Sequence, residues 1–144
     1  MIMHWSIQII SCGLAAFFFA LLLNQPRNTM IHSSLIAGLG YAVFLLLNKG
    51  TLGYFFATLF IGIACEVCAR IMKRVSTLFI TSALIPLVPG VGLYRTMRYL
   101  VEGDFPMAVT CGTETLLGIC AIALGVTFST ILFTNLHKKE KRAC

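Results

Sequence analysis

Long apolar stretches without charge alternate with short polar segments along the whole chain. Four of them contain no Lys, Arg, Asp or Glu and a fifth contains only Glu114: Trp5 to Leu23, Ile31 to Leu47, Leu52 to Cys65, Val75 to Leu93 and Met107 to Phe133. A helix needs about 20 residues to cross the roughly 30 Å hydrocarbon layer of a membrane. The pattern therefore predicts an all-α integral membrane protein with five transmembrane helices, at about 5–23, 31–48, 52–72, 76–97 and 106–136, and a short basic tail at 137–144.

The fourth stretch is interrupted by Pro86, Pro89, Gly90 and Gly92. Proline lacks a backbone N–H and disfavours helical conformation at the residue before it, so we expect the helix to stop near Leu84 and to restart after Pro89. A break exposes backbone polar groups inside the bilayer. Such groups are tolerated where they line a cavity or are buried in protein, so we expect a binding site at this break.

The restarted half-helix offers backbone N–H groups from about Val91 to Tyr94. A helix N-terminus favours anionic groups, and carboxylates are the natural ligands. Tyr94 and Arg95 follow within a turn, where they are expected to offer a hydroxyl and a positive charge to the same anion. The alternative is a kinked helix followed by two residues at the membrane interface.

The amino-acid composition limits the classes of function that the chain can have. With 58% hydrophobic and 11% charged residues among 144, the chain is too apolar for an ordinary soluble domain, and five spans leave no room for a soluble catalytic module. No nucleotide-binding loop is present, since Gly90 to Gly92 is not followed by the Lys and Ser/Thr that cradle phosphates. We therefore predict no enzyme and no cofactor. The net charge of +6 is interpreted as a sign of the membrane topology rather than of binding to nucleic acid.

Most of the six cysteines fall within or at the ends of predicted spans, where cysteine commonly serves as a small apolar side chain. They are expected to be free thiols. Cys65 and Cys68 have the spacing of metal ligands, but no second pair of Cys or His lies nearby in sequence, so no metal site is predicted.

Positive charges favour one topology. With five spans and a cytoplasmic C-terminus, eight Lys and Arg residues lie inside: Arg27, Arg70, Lys73, Arg74, Lys138, Lys139, Lys141 and Arg142. Three lie outside: Lys49, Arg95 and Arg98. A re-entrant hairpin at the break would give five inside against six outside. The positive-inside rule therefore favours a fourth segment that crosses the membrane, with the N-terminus outside.

Small residues at four-residue spacing predict helix-packing faces in lipid. The first span carries Cys12, Ala16 and Ala20, and the second carries Ser34, Gly38 and Ala42. The fifth has a longer stripe of Thr110, Glu114, Gly118, Ala121, Gly125 and Ser129. The stripe predicts interhelical packing, with lining of a pathway by its Thr110 and Glu114 end as the alternative.

Two acidic residues within spans are candidates for proton coupling. Glu66 and Arg70 are four residues apart and can pair on one helical face, so Glu66 either neutralises Arg70 or faces a hydrated cavity and carries a proton. Glu114 lies eight residues after Pro106, with no basic residue within a turn of its own helix. Its carboxylate therefore needs a cation from another span, contact with water, or a proton. Contact with water and protonation are both features of a transport route.

The segment Phe55 to Met97, with Pro86, Pro89, Gly90 and Tyr94, resembles the C-terminal half of the ThrE-type threonine/serine exporters, especially their free-standing small subunits of the YjjB type. The resemblance extends over most of residues 5–135. It implies a five-span half of a two-half transporter in the bacterial inner membrane. The other half would be a separate, YjjP-like five-span subunit. It also implies export of threonine and serine, or of a dicarboxylate such as succinate.

An odd number of spans agrees with this implication, because inverted-repeat transporters need two halves of opposite orientation that meet at a midplane site. The leading hypothesis is therefore a subunit of a secondary exporter for a small carboxylate-bearing metabolite, coupled to protons. Two alternatives are a non-transporting assembly subunit and a homo-oligomeric carrier of the small multidrug type.

Overall fold

Six helices account for nearly all of the described chain. In a computed structural model, the backbone is described for residues 2–47 and 50–140, and the side chains for 5–47 and 50–133. The helices are α1 (Ile2–Leu22), α2 (Arg27–Leu46), α3 (Thr51–Ile71), α4 (Ser76–Leu84), α5 (Gly90–Glu102) and α6 (Phe105–Glu140), with a short 3₁₀ turn at Ile85–Leu87. The described residues contain no strand, which confirms the predicted all-α class.

Four helices, α1, α2, α3 and α6, are long and apolar enough to cross a membrane. The segment Ser76–Leu87 and helix α5 together meet the same test, and their axes differ by 46° at the break. Four of the predicted spans are thus present, and a fifth if the bent pair crosses the membrane as one span; the bend lies where the prolines predict it. Helix α6 has 36 residues, a length of about 54 Å, and therefore extends beyond what a hydrocarbon layer requires.

Helices α1, α3 and α5 end in the same local way. One of the first two residues after each end, Asn24, Lys73 or Gly103, has a positive φ of 52°, 50° or 81°. The next N–H then donates to a carbonyl five residues back, as Arg74 does to Ala69 at 2.9 Å. This left-handed closure satisfies carbonyls that the helix end leaves free, and it turns the chain back within a few residues. Short loops between antiparallel neighbours follow from it.

Helix directions can be followed from the close contacts between helices. The Ser34 hydroxyl donates to the Gly13 carbonyl at 2.7 Å, and the Cys12 thiol donates to the Ala37 carbonyl at 3.7 Å, so α1 and α2 are antiparallel. Helices α2 and α3 are antiparallel as well, because Gly40 lies against Ile61 while Phe44 lies against Gly53.

Helices α3 and α6, in contrast, run in the same direction. Tyr54 lies against Gly118, Thr58 against Gly125 and Gly62 against Ser129. Two parallel neighbours require the intervening chain to return along the full bundle. The α4–α5 segment makes that return, and this is the path that a crossing fourth span requires.

The buried core lies among α1 to α4. The predicted small faces of the first two spans are part of it, with Ala16 and Ala20 fully buried on α1 and Gly38 buried on α2. Helix α4 enters this core through Phe79, Ser82 and Ala83. Helix α5 differs, because none of its residues is buried.

The loops after α1 and α3 lie at one end of the bundle, since Arg27 and Arg74 line the same surface pocket of about 360 Å³. This grouping agrees with the charge pattern on which the topology prediction depends. Lys49 and residues 141–144, which also enter that count, lie outside the described residues. Which end faces the cytoplasm stays a prediction.

Candidate functional site

The break in the fourth span has the form that its prolines predict. Helix α4 ends at Leu84, a single 3₁₀ turn contains Pro86, and Val88 is extended with φ −59° and ψ 131°. Helix α5 then starts at Gly90 behind Pro89. Two prolines three residues apart thus separate two half-helices within one span.

The first N–H groups of α5 are only partly used. Gly90 donates to the Val88 carbonyl at 2.7 Å, and Leu93 donates to the Pro89 carbonyl at 3.3 Å. The N–H groups of Val91 and Gly92 lie between these two and have no acceptor within the described part of the chain. A helix N-terminus carries partial positive charge, so the field at these two unpaired donors favours anionic groups.

A cavity of about 550 Å³ reaches these two donors. Four parts of the chain line it: α2, the start of α3, the break with the first turn of α5, and α6. The lining residues are Tyr41, Phe44, Gly50, Thr51, Tyr54, Pro86, Leu87, Val88, Pro89, Gly90, Val91, Gly92, Glu114 and Thr115. The structure therefore brings Pro86, Pro89, Gly90 and Gly92, all singled out in the sequence, to one cavity with Glu114.

Glu114 contributes a carboxylate to this cavity. It is exposed, and it makes no ion pair or hydrogen bond within the described part of the chain. Its neighbour Thr115 is turned inward, where its hydroxyl donates to the Cys111 carbonyl at 2.7 Å. Glu114 is the acidic residue among those that line the cavity.

Glycines set the close approach of the cavity walls. A Cβ on Gly92 would collide with the Thr115 hydroxyl, so a side chain there would push α5 away from α6. A Cβ on Gly118 would lie 3.3 Å from the Tyr54 ring and 3.9 Å from Pro89. Gly90, in contrast, has open space where its side chain would be.

The aromatic wall opposite the break was not predicted from the sequence. The Phe44 and Tyr54 rings are 4.4 Å apart between centroids, and Tyr41 stacks on Phe44 at 5.8 Å. The sequence does contain one signal for this wall: each of two otherwise apolar spans carries a tyrosine, and a buried tyrosine hydroxyl normally has a polar partner. The two tyrosines come together only because α2 and α3 are antiparallel.

Tyr94 and Arg95 do not line the cavity, although the sequence predicted both as ligands of the same anion. Both are exposed on α5, Tyr94 to 68%. Each residue of a helix turns by about 100°, so Tyr94 points about 200° away from Gly92, which faces α6. Within this chain the two side chains lie outside the cavity that the break forms.

Glu66 is also remote from the cavity. It is half-buried, 12 residues after Tyr54 on α3, which is about 18 Å along the helix. The ion pair expected from its spacing to Arg70 does not form. Arg70 instead donates to the Phe133 carbonyl at 3.0 Å and stacks its guanidinium 5.0 Å from the centre of the Phe133 ring.

One cysteine lies near this site: Cys111 is one turn before Thr115 on α6. Cys65 and Cys68, in contrast, are on the far part of α3. All five cysteines with described side chains are free thiols. The same part of the chain contains no group of three or more His, Cys, Asp or Glu residues that would suit a metal ion.

Comparison with known families agrees with the membrane architecture. The sequence profile described as "Threonine/Serine exporter, ThrE" matches residues 8–132. This range extends from the first predicted span into the fifth and includes the break and Glu114. No solved structure matches the chain. Because the profile covers most of the sequence, the chain belongs to the threonine/serine exporter ThrE family of multi-pass membrane transporters.

Proposed function

We propose that this chain is one subunit of a secondary exporter that moves a small carboxylate-bearing metabolite outward together with protons. Threonine and serine, or a dicarboxylate such as succinate, are the substrates that fit. One observation carries the proposal: the unpaired N–H groups of Val91 and Gly92 line the same cavity as the unpaired carboxylate of Glu114. No covalent chemistry is involved.

Competition between two carboxylates gives a physical coupling mechanism. The positive end of α5 favours either the ionised side chain of Glu114 or the carboxylate of a substrate, but like charges in one cavity oppose each other. Protonation of Glu114 removes its negative charge and leaves the N–H groups of Val91 and Gly92 to the substrate. Deprotonation favours release. Proton binding from one side is thereby linked to substrate binding.

The second part of the proposal is a partner, a YjjP-like five-span subunit that closes the site. Helix α5 supports this, because all of its residues remain accessible and its exposed side chains include Tyr94 and Arg95. A partner docked against α5 would place these two side chains at the interface between the halves. Their predicted contact with substrate then depends on the assembled transporter. Glu66 has no place in this cavity and is not part of the proposed coupling.

The proposed orientation has the N-terminus outside and the C-terminus in the cytoplasm of a bacterial inner membrane. It is supported by the grouping of Arg27 and Arg74 at one end of the bundle, together with the excess of Lys and Arg in the loops of that end. The break lies closer to the opposite end, because the nine residues of α4 and one 3₁₀ turn separate it from Ser76.

The test is efflux from proteoliposomes that contain this chain together with the YjjP-like subunit. Vesicles are loaded with labelled threonine or succinate, and efflux is compared at equal pH and with an alkaline exterior. We expect efflux only with both subunits and faster efflux when the exterior is alkaline, because release follows deprotonation. Equal efflux by this chain alone, or efflux that does not respond to the pH gradient, would contradict the proposal.

A further inference from the structure

A second cavity lies on the other side of Pro86. It has a volume of about 360 Å³ and is lined by Gln8, Ser11, Cys12 and other residues of α1, together with Tyr41 and Pro86. Tyr41 and Pro86 also line the cavity at the break. The two cavities are therefore neighbours separated by one aromatic ring and one proline. No motif in the sequence pointed to this chamber.

Gln8 is the unusual residue in it. Its Oε1 atom is shielded from solvent and accepts no hydrogen bond, and its amide has no hydrogen bond within the described part of the chain. The Oε1 atom of the other glutamine, Gln25, is shielded and accepts no hydrogen bond either, but the Gln25 amide nitrogen donates to the Leu78 carbonyl at 2.6 Å and thereby holds the loop after α1 against α4. Gln25 has a structural role that Gln8 lacks.

An amide oxygen that is shielded from solvent and has no donor is costly in an apolar bundle. A buried polar group that loses its hydrogen bonds is destabilising, so such groups are normally satisfied by protein or by water. The chamber beside Gln8 is of the size that small-molecule sites have. A ligand or water molecule in this chamber would supply the missing hydrogen bonds.

We propose that this chamber is a further part of the transport route and that Gln8 is a specificity-determining residue in it. This inference rests on the proposed function. An amide offers an acceptor to an ammonium group and donors to a carboxylate, so an amino acid can use both. A dicarboxylate can use only the donors. Gln8 therefore favours amino acids over dicarboxylates, and Tyr41 with Pro86 separates this chamber from the carboxylate site at the break.

Two substitutions test the chemistry in the complete two-subunit transporter. Gln8→Leu removes donor and acceptor at similar volume, and we expect the KM for threonine to rise about tenfold with little change in kcat, as loss of a hydrogen bond to the substrate predicts. The KM for succinate should rise less, because that substrate loses only the donors whereas threonine loses both donors and acceptor. Gln8→Glu keeps an acceptor, adds negative charge and is expected to raise the KM for succinate more than that for threonine.

Leu14→Ala is the matched control, since Leu14 is on the same helix, is 53% exposed and lies away from both cavities. It should transport like the wild type. An unchanged threonine KM in both Gln8 variants would overturn the inference. Equal losses for both substrates, with less folded complex in the membrane, would give Gln8 a purely structural role and would also overturn it. If Gln8→Leu does not assemble, Gln8→Glu alone decides between these results.

A labelling experiment examines the chamber without relying on transport. Gln8→Cys is introduced into a chain whose other cysteines are replaced by alanine, and the assembled transporter is treated with a small water-soluble maleimide. We expect labelling that added threonine slows and that succinate slows less. Absence of labelling would overturn the chamber as part of a route. If the wild-type complex exports neither substrate yet threonine protects position 8, the proposed export has failed while the binding chamber stands.

Discussion

The two halves of α6 have the same pattern of small and polar residues but different surroundings. In the second half, Gly125 and Ser129 lie tightly against Thr58 and Gly62 of the unbroken helix α3. In the first half, Glu114 lies at a cavity, because the element opposite it is the broken fourth span. Small-residue spacing therefore predicts that a helix face avoids lipid, but the continuity of the facing helix decides whether that face is packed or open.

The packed half is expected to be the more sensitive to side-chain volume. A Cβ on Gly125 would lie 2.9 Å from the Phe55 carbonyl oxygen and would collide with the Thr58 hydroxyl. Because the backbone of α3 cannot move aside locally, Gly125→Val should cost more than the 1–3 kcal/mol, roughly, of ordinary overpacking. We expect a large loss of folded protein in detergent, measured by size-exclusion chromatography and thermal unfolding.

The control for this change is Ala123→Val, which adds volume at an exposed position two residues earlier on α6. It should leave the folded yield and the unfolding temperature nearly unchanged. Equal behaviour of the two variants would mean that the α3–α6 contact is not the tight seam described above.

The open half is expected to be sensitive to charge rather than volume. Glu114→Gln should reduce proton-driven net export to the level of membranes without the transporter, because the side chain can no longer gain or lose a proton. Folded yield should be unaffected, since the carboxylate makes no bond within the described part of the chain. Threonine exchange between equal pools should persist, as it needs no net proton movement.

Glu102→Gln is the matched control for Glu114. It removes an acidic group that pairs at 2.8 Å with Arg98 on the exposed surface of α5. Solvent screens a surface pair of this kind, so its loss should change export little. Net export that continues in Glu114→Gln would remove Glu114 from the coupling mechanism.

A third effect, of intermediate size, concerns the contact between α5 and α6. Gly92→Ala places a Cβ against Thr115 and shifts the first turn of α5, whereas Gly90→Ala adds its Cβ in open space. We expect Gly92→Ala to raise the KM for substrate several-fold, because the N–H groups of Val91 and Gly92 move. Gly90→Ala should assemble normally and retain the wild-type unfolding temperature.

Adding Thr115→Ala to Gly92→Ala should restore much of the lost affinity, because it removes the hydroxyl and methyl groups that the new side chain meets. Such coupling between neighbouring residues is what a double-mutant cycle detects. Additive effects of the two substitutions would show that Gly92 acts through something other than this contact.

The spans and their break follow from local chemistry, so the sequence predicts them well. Apolar runs without charge identify the helices, and the N–H that Pro86 and Pro89 lack interrupts the fourth one wherever the rest of the chain lies. The family resemblance, confirmed by the profile match over residues 8–132, depends on the same local motif.

The composition of the cavity is not local, and here prediction was incomplete. Glu114, Tyr41 and Tyr54 meet at the break only because α3 and α6 are parallel and α2 is antiparallel to α3. Sequence gives no register between helices that are 60 residues apart. Tyr94 lies outside the cavity for a different reason, because it is rotated by about 200° from Gly92 about the axis of α5. The contact of Tyr94 and Arg95 with substrate stays a prediction.

The smallest expected effect lies at the far end of α3, where the comparison between the packed and open regions can be sharpened. Arg70→Lys keeps the charge but loses the planar guanidinium that stacks on Phe133 and donates to its carbonyl. We expect a loss of about 1 kcal/mol in stability, because the pair is exposed and such stacking is worth about 0.5–1 kcal/mol. Glu66→Gln should change stability less, and the two substitutions together should be additive within about 0.5 kcal/mol, as independent sites are. A larger coupling energy in thermal unfolding would show that Glu66 and Arg70 interact as their spacing suggested. It would also show that the half-buried carboxylate of Glu66 stabilises the contact between α3 and α6.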